Sequence, residues 1–282
     1  MTQKLTEPLP PTKYCLLQLA APHTLLITLN RPAQRNALHL PAHHELAAVF
    51  DYVEREPELW CSVITGAGEK SFCAGADIKP ITGDAAGNTT VPTFRIEDYP
   101  VSGFGGLSRR AGSRKPVIAA VQGHAFGGGM EILLACDIVV ATERATFAMP
   151  EVKRGIVAAN GGIARLVRIV GYQRAMSILI TGRVLSAREA KEYGFVNELA
   201  QNKKEAIKTA LAYARLITTA SPDAVGCTKL AANWALESST LEATRRLIES
   251  DELRQLSDGE NLKEGVRAFK ERRHPRWQSS KL

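Results

Sequence analysis

Two glutamates near the middle of the chain, Glu131 and Glu151, have the residue type and the setting of an acid/base pair. Glu131 follows three consecutive glycines, residues 127–129, in the first turn of a predicted helix, and Glu151 follows Pro150 after an apolar segment. Because glycine lacks a Cβ, the backbone can approach a ligand closely, and the first amides of a helix have no intrahelical acceptor. Such amides can stabilise an oxygen that gains negative charge while the carboxylates move protons. This stretch alone also allows a purely structural interpretation. The glycines could form a packing turn, and the helix dipole could stabilise Glu131 without any catalytic role.

Short apolar runs must hold these groups in place. Residues 60–65 and 117–121 each predict a buried strand that leads towards a turn of small residues. The first strand is followed by SFCAGADIK at 71–79, and the second by the three glycines. Residues 80–108 are polar, rich in Gly, Pro and Thr and without periodicity, which indicates a functional or mobile loop. The chain up to about residue 200 therefore mixes strands and helices.

The pattern after residue 200 is nearly continuous amphipathic helix. The sequence predicts four segments: a loose, Pro-rich start at 1–12, a core of mixed strands and helices at 13–202 that contains the candidate acid/base pair, a helical oligomerisation segment at 203–274 and a tail at 275–282. The helical segment carries more apolar side chains than a thin appendage could bury, so we expect them to pack against neighbouring subunits and the adjacent active-site wall. Examples are Leu211, Leu216, Leu230, Trp234 and Leu247.

The composition narrows the ligand classes. A net charge of +7 on 282 residues suits an anionic ligand such as a phosphorylated cofactor or an acidic substrate. Basic residues are scattered and no nucleic-acid-binding motif is present, which disfavours direct recognition of nucleic acid. The five cysteines show no CxxC spacing, and His43 and His44 form an exposed-looking pair without partners at metal-ligand spacing. We therefore expect reduced, buried thiols in an intracellular compartment and no metal.

The two ends of the chain differ in targeting information. Residues 1–14 contain acid and proline but no apolar core, unlike a secretory signal, and no apolar run is long enough to span a bilayer. The last three residues, Ser280, Lys281 and Leu282, match the tripeptide that the peroxisomal import receptor recognises. The sequence thus predicts a peroxisomal protein with no membrane segment.

Four segments in a fixed order carry a more specific signal: NRPAQRNAL at 30–38, GAGEKSFCAGADIK at 66–79, KPVIAAVQGHAFGGGMEILLACDIVVATERATFAMPEVKRGI at 115–156 and TGRVLSAREAKEYGFVNEL at 181–199. They resemble the crotonase (enoyl-CoA hydratase/isomerase) superfamily over most of residues 14–200. The C-terminal tripeptide and the segment SGFGGLSRRAG are similar to a fungal peroxisomal branch. The resemblance implies an α/β fold, a crotonase-like spiral of repeated β-β-α units, with a helical C-terminal trimerisation segment whose trimers often pair into hexamers. It also implies an acyl-CoA ligand and no separate cofactor, since coenzyme A is part of the substrate.

The resemblance further implies roles for single residues. The backbone amides of Ala76 and Gly128 correspond to the family's oxyanion hole for the thioester oxygen. Glu131 would orient and activate a water for attack at C3 of an enoyl group, and Glu151 would transfer a proton at C2. The implied substrate-binding positions are Ala74, Ala76, Asp77, Ile78, Lys79, Gly127 and Ala159.

Some of these positions have a second interpretation. Asp77 could instead cap a helix, and Lys79 could be a solvated charge, although the family places its neighbourhood at the CoA nucleotide. His124 and Phe126 either shape the acyl pocket or are structural. Cys73 and Cys136 are interpreted as core residues.

One segment departs from the family pattern. Where family hydratases often carry a glycine-rich turn after the second glutamate, residues 157–162 are VAANGG. Ala159 can still offer its amide to the catalytic water, since only proline lacks an N–H, but Asn160 adds a polar side chain. The departure bears on the water geometry and on the acyl group that is accepted.

Three functions stay open at the level of sequence. The first choice is an enoyl-CoA hydratase that could also isomerise, because family members that only isomerise commonly lack one of the two glutamates. The second is an isomerase, or a dehydratase of a polar 3-hydroxyacyl-CoA, since the sequence does not fix the direction of reaction. The third, prompted by the net charge, is a non-enzymatic RNA-binding member of the fold, which the intact glutamate pair disfavours. Fatty-acid, siderophore and toxin metabolism could each supply such an acyl-CoA.

Overall fold

Two β-sheets receive the strands of the central region in alternation. The computed structural model describes residues 4–77 and 95–280. Its strands are β1 (Cys15–Ala21), β2 (Thr24–Leu29), β3 (Cys61–Gly66), β4 (Ser71–Cys73), β5 (Val117–Val121), β6 (His124–Phe126), β7 (Ile138–Thr142), β8 (Thr146–Ala148), β9 (Leu185–Ser186) and β10 (Glu198–Ala200). One sheet has the strand order β1-β2-β3-β5-β7-β10 and the other the order β4-β6-β8-β9. The pairs β3-β4, β5-β6 and β7-β8 each give one strand to either sheet, which confirms the predicted spiral within an α/β fold.

Helices follow the strand pairs and then make up the C-terminal third. They are α1 (Leu40–Arg55), α2 (Gly128–Leu134), α3 (Gly162–Val170), α4 (Tyr172–Leu179), α5 (Ala187–Glu192), α6 (Lys203–Thr218), α7 (Pro222–Glu237), α8 (Thr240–Glu249), α9 (Asp251–Asp258) and α10 (Glu260–Glu271). α5 begins with a capping box, in which Ser186 and Glu189 each satisfy the other's backbone N–H. Within 4–77 and 95–280, no helix has the length and apolar character needed to cross a membrane.

The six-stranded sheet is apolar on both faces. Val117, Ala119 and Val121 of β5 belong to the main core, whereas Ile118 and Ala120 belong to a second cluster on the opposite face. Successive side chains of a strand point to opposite faces, so a strand covered on both sides is apolar throughout. This is the reason that residues 117–121 form an uninterrupted apolar run and not an alternating one.

Helix α6 covers the second cluster with small side chains. Ala206, Ala210 and Ala214 are spaced by four residues, share one helix face and pack against the sheet. Leu211 packs in the same cluster, and Leu230 of α7 is buried within the chain. The expectation of a contact with a neighbouring subunit is therefore wrong for Leu230, which the chain itself buries, whereas for the half-buried Leu211 it stays a prediction.

The start of the described chain is anchored. The backbone N–H groups of Thr6 and Glu7 donate to the carboxylate of Glu56 over 3.1 and 3.0 Å, and the Tyr52 hydroxyl donates to the Glu7 carbonyl over 2.7 Å. Leu5 and Leu9 pack against the main core. The prediction of a loose segment at 1–12 is thus wrong for its described part, since a buried carboxylate at the end of α1 supplies acceptors that the local sequence does not reveal.

Candidate active site

Three neighbouring strands of the four-stranded sheet end at one edge. β4, β6 and β8 are parallel, and residues 74–77, 127–131 and 149–151 directly follow their carboxyl ends. Parallel strands present their carboxyl ends at the same edge of a sheet, where ligands of α/β proteins commonly bind. The N–H of Gly127 donates to the carbonyl of Ala148 over 2.8 Å, which ties the end of β6 to the end of β8. Segments that are far apart in the sequence therefore meet here.

A cavity of about 530 Å³ lies at this edge, a size typical of small-molecule sites. The structure brings together in its lining the sequence-predicted residues Ala74, Ala76, Asp77, Gly127, Gly128, Glu131, Glu151 and Ala159. Further lining residues include Tyr99, Phe104, Phe126, Arg154 and Asn160. The predicted substrate-binding positions Ile78 and Lys79 lie outside the described residues, as do Lys281 and Leu282 of the targeting tripeptide.

The two predicted oxyanion donors come from segments that touch. A Cβ placed on Gly75 would lie 3.4 Å from the backbone nitrogen of Gly128, so the turn after β4 packs against the turn after β6. Leu38 fixes the first turn on both sides, donating to the Gly75 carbonyl and accepting from the Asp77 N–H, each over 2.9 Å. In the described part of the chain, neither the Ala76 N–H nor the Gly128 N–H has an acceptor. Both amides therefore remain able to donate to a ligand in the cavity that Ala76 and Gly128 line.

Glu131 is buried, at 2% exposure, and its carboxylate accepts hydrogen bonds from the backbone at the start of α3. Its Oε1 accepts hydrogen bonds from the backbone N–H of Asn160 over 2.9 Å and of Gly162 over 3.1 Å. Burial raises the pKa of Glu131, while these two N–H groups and the Asn160 side chain stabilise its ionised form. The carboxylate is thus fixed in orientation, and its raised pKa makes it a stronger base than a solvated glutamate.

Glu151 lines the same cavity and has fewer hydrogen-bond partners than Glu131. Its Oε1 would be 2.9 Å from a Cβ on Gly127, so only the glycine leaves room for the carboxylate there. Its Oε2 is buried and has no partner among residues 4–77 and 95–280. Burial, with a smaller contribution from the negative charge of Glu131, raises the pKa of Glu151 to about 7. At neutral pH this carboxyl is therefore populated in both protonation states and can act as acid or base.

Asp77 has a structural partner. Its carboxylate forms an ion pair of 2.8 Å with Arg31, and both side chains are largely buried. A second guanidinium nitrogen of Arg31 donates to the carbonyl of Ala37. Asp77 therefore helps to fix the turn that carries Ala76. The residues that a helix capped by Asp77 would include lie outside the described ranges.

Three aromatic residues at the cavity, His43, Tyr99 and Phe104, were not among the site residues predicted from the sequence. Phe104 and Tyr99 line the cavity, and the His43 ring packs against both at centroid distances of 4.3 and 4.8 Å. The Nδ1 of His43 accepts the N–H of Gly105 over 2.9 Å, which anchors the turn that carries Phe104. Burial, with repulsion from neighbouring histidines, lowers the pKa of His43 to about 3, so its ring is neutral.

The prediction that His43 is exposed is wrong. His43 is 2% exposed, whereas His44 is exposed. The helical spacing of the sequence indicates that His43 is buried, because His43 lies on the same face of α1 as Leu46, Phe50 and Val53. For Tyr99 and Phe104 no such signal exists, since the surrounding sequence has no periodicity.

The segment after Glu151 contributes the backbone of Ala159 and the side chain of Asn160 to the cavity lining. Ala159 lines the cavity with its N–H unused within the described chain, as the predicted role at a water requires. The next residue, Asn160, binds Glu131 through its own N–H. Of the two uncertain residues on β6, Phe126 lines the cavity, whereas His124 pairs with the Thr146 hydroxyl over 2.7 Å and is structural.

None of the five cysteines lines the cavity. All five cysteines are free, and four of them are buried. Burial raises the pKa of Cys61 to about 11 and that of Cys73 to about 12, so both are unreactive thiols at neutral pH. Across 4–77 and 95–280, no cluster of three or more His, Cys, Asp or Glu is arranged to hold a metal ion.

Known proteins are similar to this chain in sequence and in fold. The family model for enoyl-CoA hydratase/isomerase matches residues 22–280. A mevalonyl-coenzyme A hydratase of Aspergillus fumigatus is 42% identical over 277 residues, covering 98% of this chain and 99% of that protein. A carnitinyl-CoA dehydratase of Proteus mirabilis is 36% identical over 256 residues, with 90% and 94% coverage. The crystal structure of an enoyl-CoA hydratase from Bacillus anthracis superimposes with a TM-score of 0.83 at 32% identity, covering 95% of this chain and all of that one.

Proposed function

We propose that the substrate of this protein is an acyl-CoA thioester whose acyl group is branched and bears a hydroxyl. The chain belongs to the enoyl-CoA hydratase/isomerase family and catalyses hydration of an acyl-CoA thioester. One observation carries the reaction type. Two carboxylates, Glu131 and Glu151, line one cavity together with the unused amides of Ala76 and Gly128. A thioester oxygen held by both amides would leave C2 and C3 of the acyl group between the two carboxylates.

The amides would stabilise the charge that develops during the reaction. Addition of water to C3 moves the π electrons of the C2–C3 double bond towards the thioester carbonyl and gives an enolate oxygen. Preorganised N–H donors at such an oxygen contribute about 3 kcal/mol each to transition-state stabilisation. Ala76 and Gly128 supply two of them without any charged side chain.

The carboxylates divide the proton transfers. Glu131, fixed by two N–H groups and stabilised as an anion, accepts a proton from water while the water oxygen bonds to C3. Glu151, with its pKa raised to about 7, delivers a proton to C2 and becomes ionised. In the reverse direction Glu151 removes the C2 proton, the C3–O bond breaks, and Glu131 returns a proton to the departing hydroxyl. One pair of groups thus serves hydration and dehydration.

The relatives favour a polar acyl group. The fungal relative is named for mevalonyl-CoA, whose acyl group carries a methyl and a hydroxyl on C3 and a hydroxyl on C5, and the bacterial one for carnitinyl-CoA. Both names denote acyl groups more polar than a straight fatty chain. By similarity, we propose interconversion of a 3-hydroxy-3-methylacyl-CoA and its 2,3-enoyl product. Synthesis of a siderophore or another secondary metabolite is a more consistent setting for such an acyl group than straight-chain fatty-acid oxidation.

A substrate panel tests the proposal. Purified protein would be given crotonyl-CoA, a long-chain 2-enoyl-CoA, 3-methylcrotonyl-CoA and 5-hydroxy-3-methylpent-2-enoyl-CoA. Loss of the enoyl thioester absorbance reports hydration, and the same assay run from mevalonyl-CoA reports dehydration. We expect the highest kcat/KM for the branched, hydroxylated compound. A preference for the long straight chain would contradict the substrate class, and inactivity towards the whole panel would contradict the reaction.

Assembly and location are also proposals. We propose a trimer or a hexamer, because large apolar side chains on the C-terminal helices are exposed in the single chain. They include Leu216, Leu241, Ile248 and Phe269, at 67, 81, 64 and 86% exposure. We propose import into peroxisomes through Ser280, Lys281 and Leu282, supported by the match of this tripeptide to the import signal.

A further inference from the structure

The lining of the cavity contains a polar atom that the proposed chemistry does not use. Seven buried side-chain nitrogen or oxygen atoms in the described residues have no hydrogen-bond partner, and two of them belong to residues that line the cavity. One is Oε2 of Glu151, which the proton transfer requires. The other is Oδ1 of Asn160, whose side chain belongs to a residue only 8% exposed. A buried carbonyl oxygen without a donor is unfavourable unless a ligand supplies one.

The position of this oxygen is fixed by its neighbours. The backbone N–H of Asn160 donates to Glu131, and its side-chain amide also stabilises the Glu131 anion. Because the NH₂ end of the amide is the only part that can favour an anion, Oδ1 is the end left for another partner. The Asn160 side chain is therefore held beside Glu131, the proposed water-activating carboxylate, in the lining of the cavity.

The chemical class of the missing partner follows from the acceptor. A carbonyl oxygen requires an O–H or N–H donor, which a plain alkyl chain lacks. Tyr99 lines the same cavity, and its hydroxyl has no partner within 4–77 and 95–280. A substrate hydroxyl can donate to one such group and accept from another, so the cavity offers a polar acyl substituent both kinds of contact.

We infer that Asn160 is a specificity-determining residue whose side-chain oxygen accepts a hydrogen bond from a hydroxyl on the acyl chain of the substrate. The inference rests on the proposed function and names the residue that selects the hydroxyl-bearing acyl group. A site that hydrogen-bonds a substrate hydroxyl discriminates against the analogue that lacks it, because the buried acceptor is then unsatisfied. The departure of residues 157–162 from the family's glycine-rich turn thus acquires a role in substrate choice.

Two substrates and three variants test the inference. The substrates are 5-hydroxy-3-methylpent-2-enoyl-CoA and 3-methylpent-2-enoyl-CoA, which differ only by the hydroxyl. Asn160→Ala removes the side chain, and Asn160→Leu replaces it with an apolar side chain of similar size; both keep the backbone N–H for Glu131. Val157→Ala is the control, because it trims an exposed apolar lining residue of the same segment. Melting temperature and circular dichroism confirm folding.

We expect the ratio of kcat/KM for the hydroxylated over the plain substrate to fall about 10-fold or more in both Asn160 variants, the scale of one lost hydrogen bond to a buried group. In Val157→Ala the ratio should change by no more than about 2-fold, since no polar group is lost. Equal losses on the two substrates in the Asn160 variants would show that the side chain serves Glu131 or the water, and would overturn the inference. An unchanged ratio would overturn it as well. If the wild-type protein hydrates neither compound nor crotonyl-CoA, the proposed function itself fails.

Discussion

The ring of Phe104 occupies the space that a side chain on Gly128 would need. A Cβ on Gly128 would collide with Cε2 and Cζ of this ring, and His43 anchors the turn that carries it. The glycine therefore serves two purposes: it lets a buried aromatic side chain cover the start of α2, and it leaves its own N–H free towards the cavity. A substitution here affects packing and the amide position together.

This relationship makes Gly128→Ala a test of the oxyanion assignment. We expect a lower melting temperature and a loss of turnover per folded molecule that corresponds to about 3 kcal/mol, the scale of one oxyanion donor. Adding Phe104→Ala opens space for the new methyl, so the double variant should recover melting temperature and part of the turnover relative to Gly128→Ala. Phe104→Ala alone completes the double-mutant cycle. Full turnover in a destabilised Gly128→Ala would assign the glycine to packing only.

Removal of either carboxylate should abolish the chemistry and leave the fold intact. Glu131→Gln retains an oxygen that can accept the N–H groups of Asn160 and Gly162, and Glu151→Gln fits beside Gly127. We expect turnover to fall about 100-fold or more in each variant, because general acid/base catalysis contributes on this scale. Binding of coenzyme A, measured by calorimetry, should persist. Near-normal turnover in one variant would exclude that glutamate from the proton transfers.

The pH dependence should be the same in the two directions. Hydration needs Glu131 ionised and Glu151 protonated, and dehydration needs the reverse arrangement, so both directions use the glutamate pair with one proton in total. Because hydration neither takes up nor releases a proton, the ratio of the two kcat/KM values equals the equilibrium constant and does not change with pH. The pKa of Glu151 is raised to about 7, so kcat/KM should decline in both directions as the pH rises above about 7. Initial rates in both directions over pH 5–9 measure this, and a kcat/KM that stays level through pH 7 would contradict the assignment of Glu151 as the group that titrates.

The same pKa has a consequence for stability. Burial raises the pKa of Glu151 above its unfolded value, so the folded state binds the proton more tightly. The resulting stabilisation is fully present at low pH and is lost as the pH rises through about 7. Glu151→Gln, which cannot ionise, should therefore gain melting temperature relative to the wild-type protein at pH 8 more than at pH 5.

Assembly can be tested on the exposed apolar residues. We expect the mass of a trimer or a hexamer by light scattering at micromolar concentration. Phe269→Glu and Leu241→Glu place charges on the two most exposed apolar positions of the C-terminal helices and should lower the mass. Val101→Glu changes an equally exposed residue outside these helices, at 94% exposure, and is the control. A monomeric mass for the wild-type protein would contradict the proposal.

Localisation can be tested on the tail. The residues before the tripeptide are anchored, since Trp277 donates to the Thr219 carbonyl over 2.8 Å and Ser279 to the Glu58 carboxylate over 2.6 Å. A fluorescent protein fused upstream should appear in peroxisomes, and deletion of Ser280, Lys281 and Leu282 should leave it in the cytosol. Peroxisomal fluorescence that survives the deletion would show that the tripeptide is not the signal.

The sequence by itself determined the elements whose causes are local. The glycines at 127–129 predict a turn in which amides stay unused, and the apolar run at 117–121 predicts a buried strand. Glu131 and Glu151 could be selected as an acid/base pair because one lies in the first turn of the helix predicted after these glycines and the other follows Pro150 at the end of an apolar segment. These features depend on backbone freedom and hydrophobic pattern within a few residues, so no knowledge of distant contacts was needed.

Only the tertiary structure decided how these elements meet. The hydrogen bond from Asn160 to Glu131 spans 29 residues, and the one from Gly105 to His43 spans 62. The neutrality of His43, the raised pKa of Glu151 and the unsatisfied oxygen of Asn160 all arise from burial by segments that are remote in sequence. Burial and pairing are properties of the packed chain, because desolvation depends on every element that covers a group and not on its neighbours in the sequence.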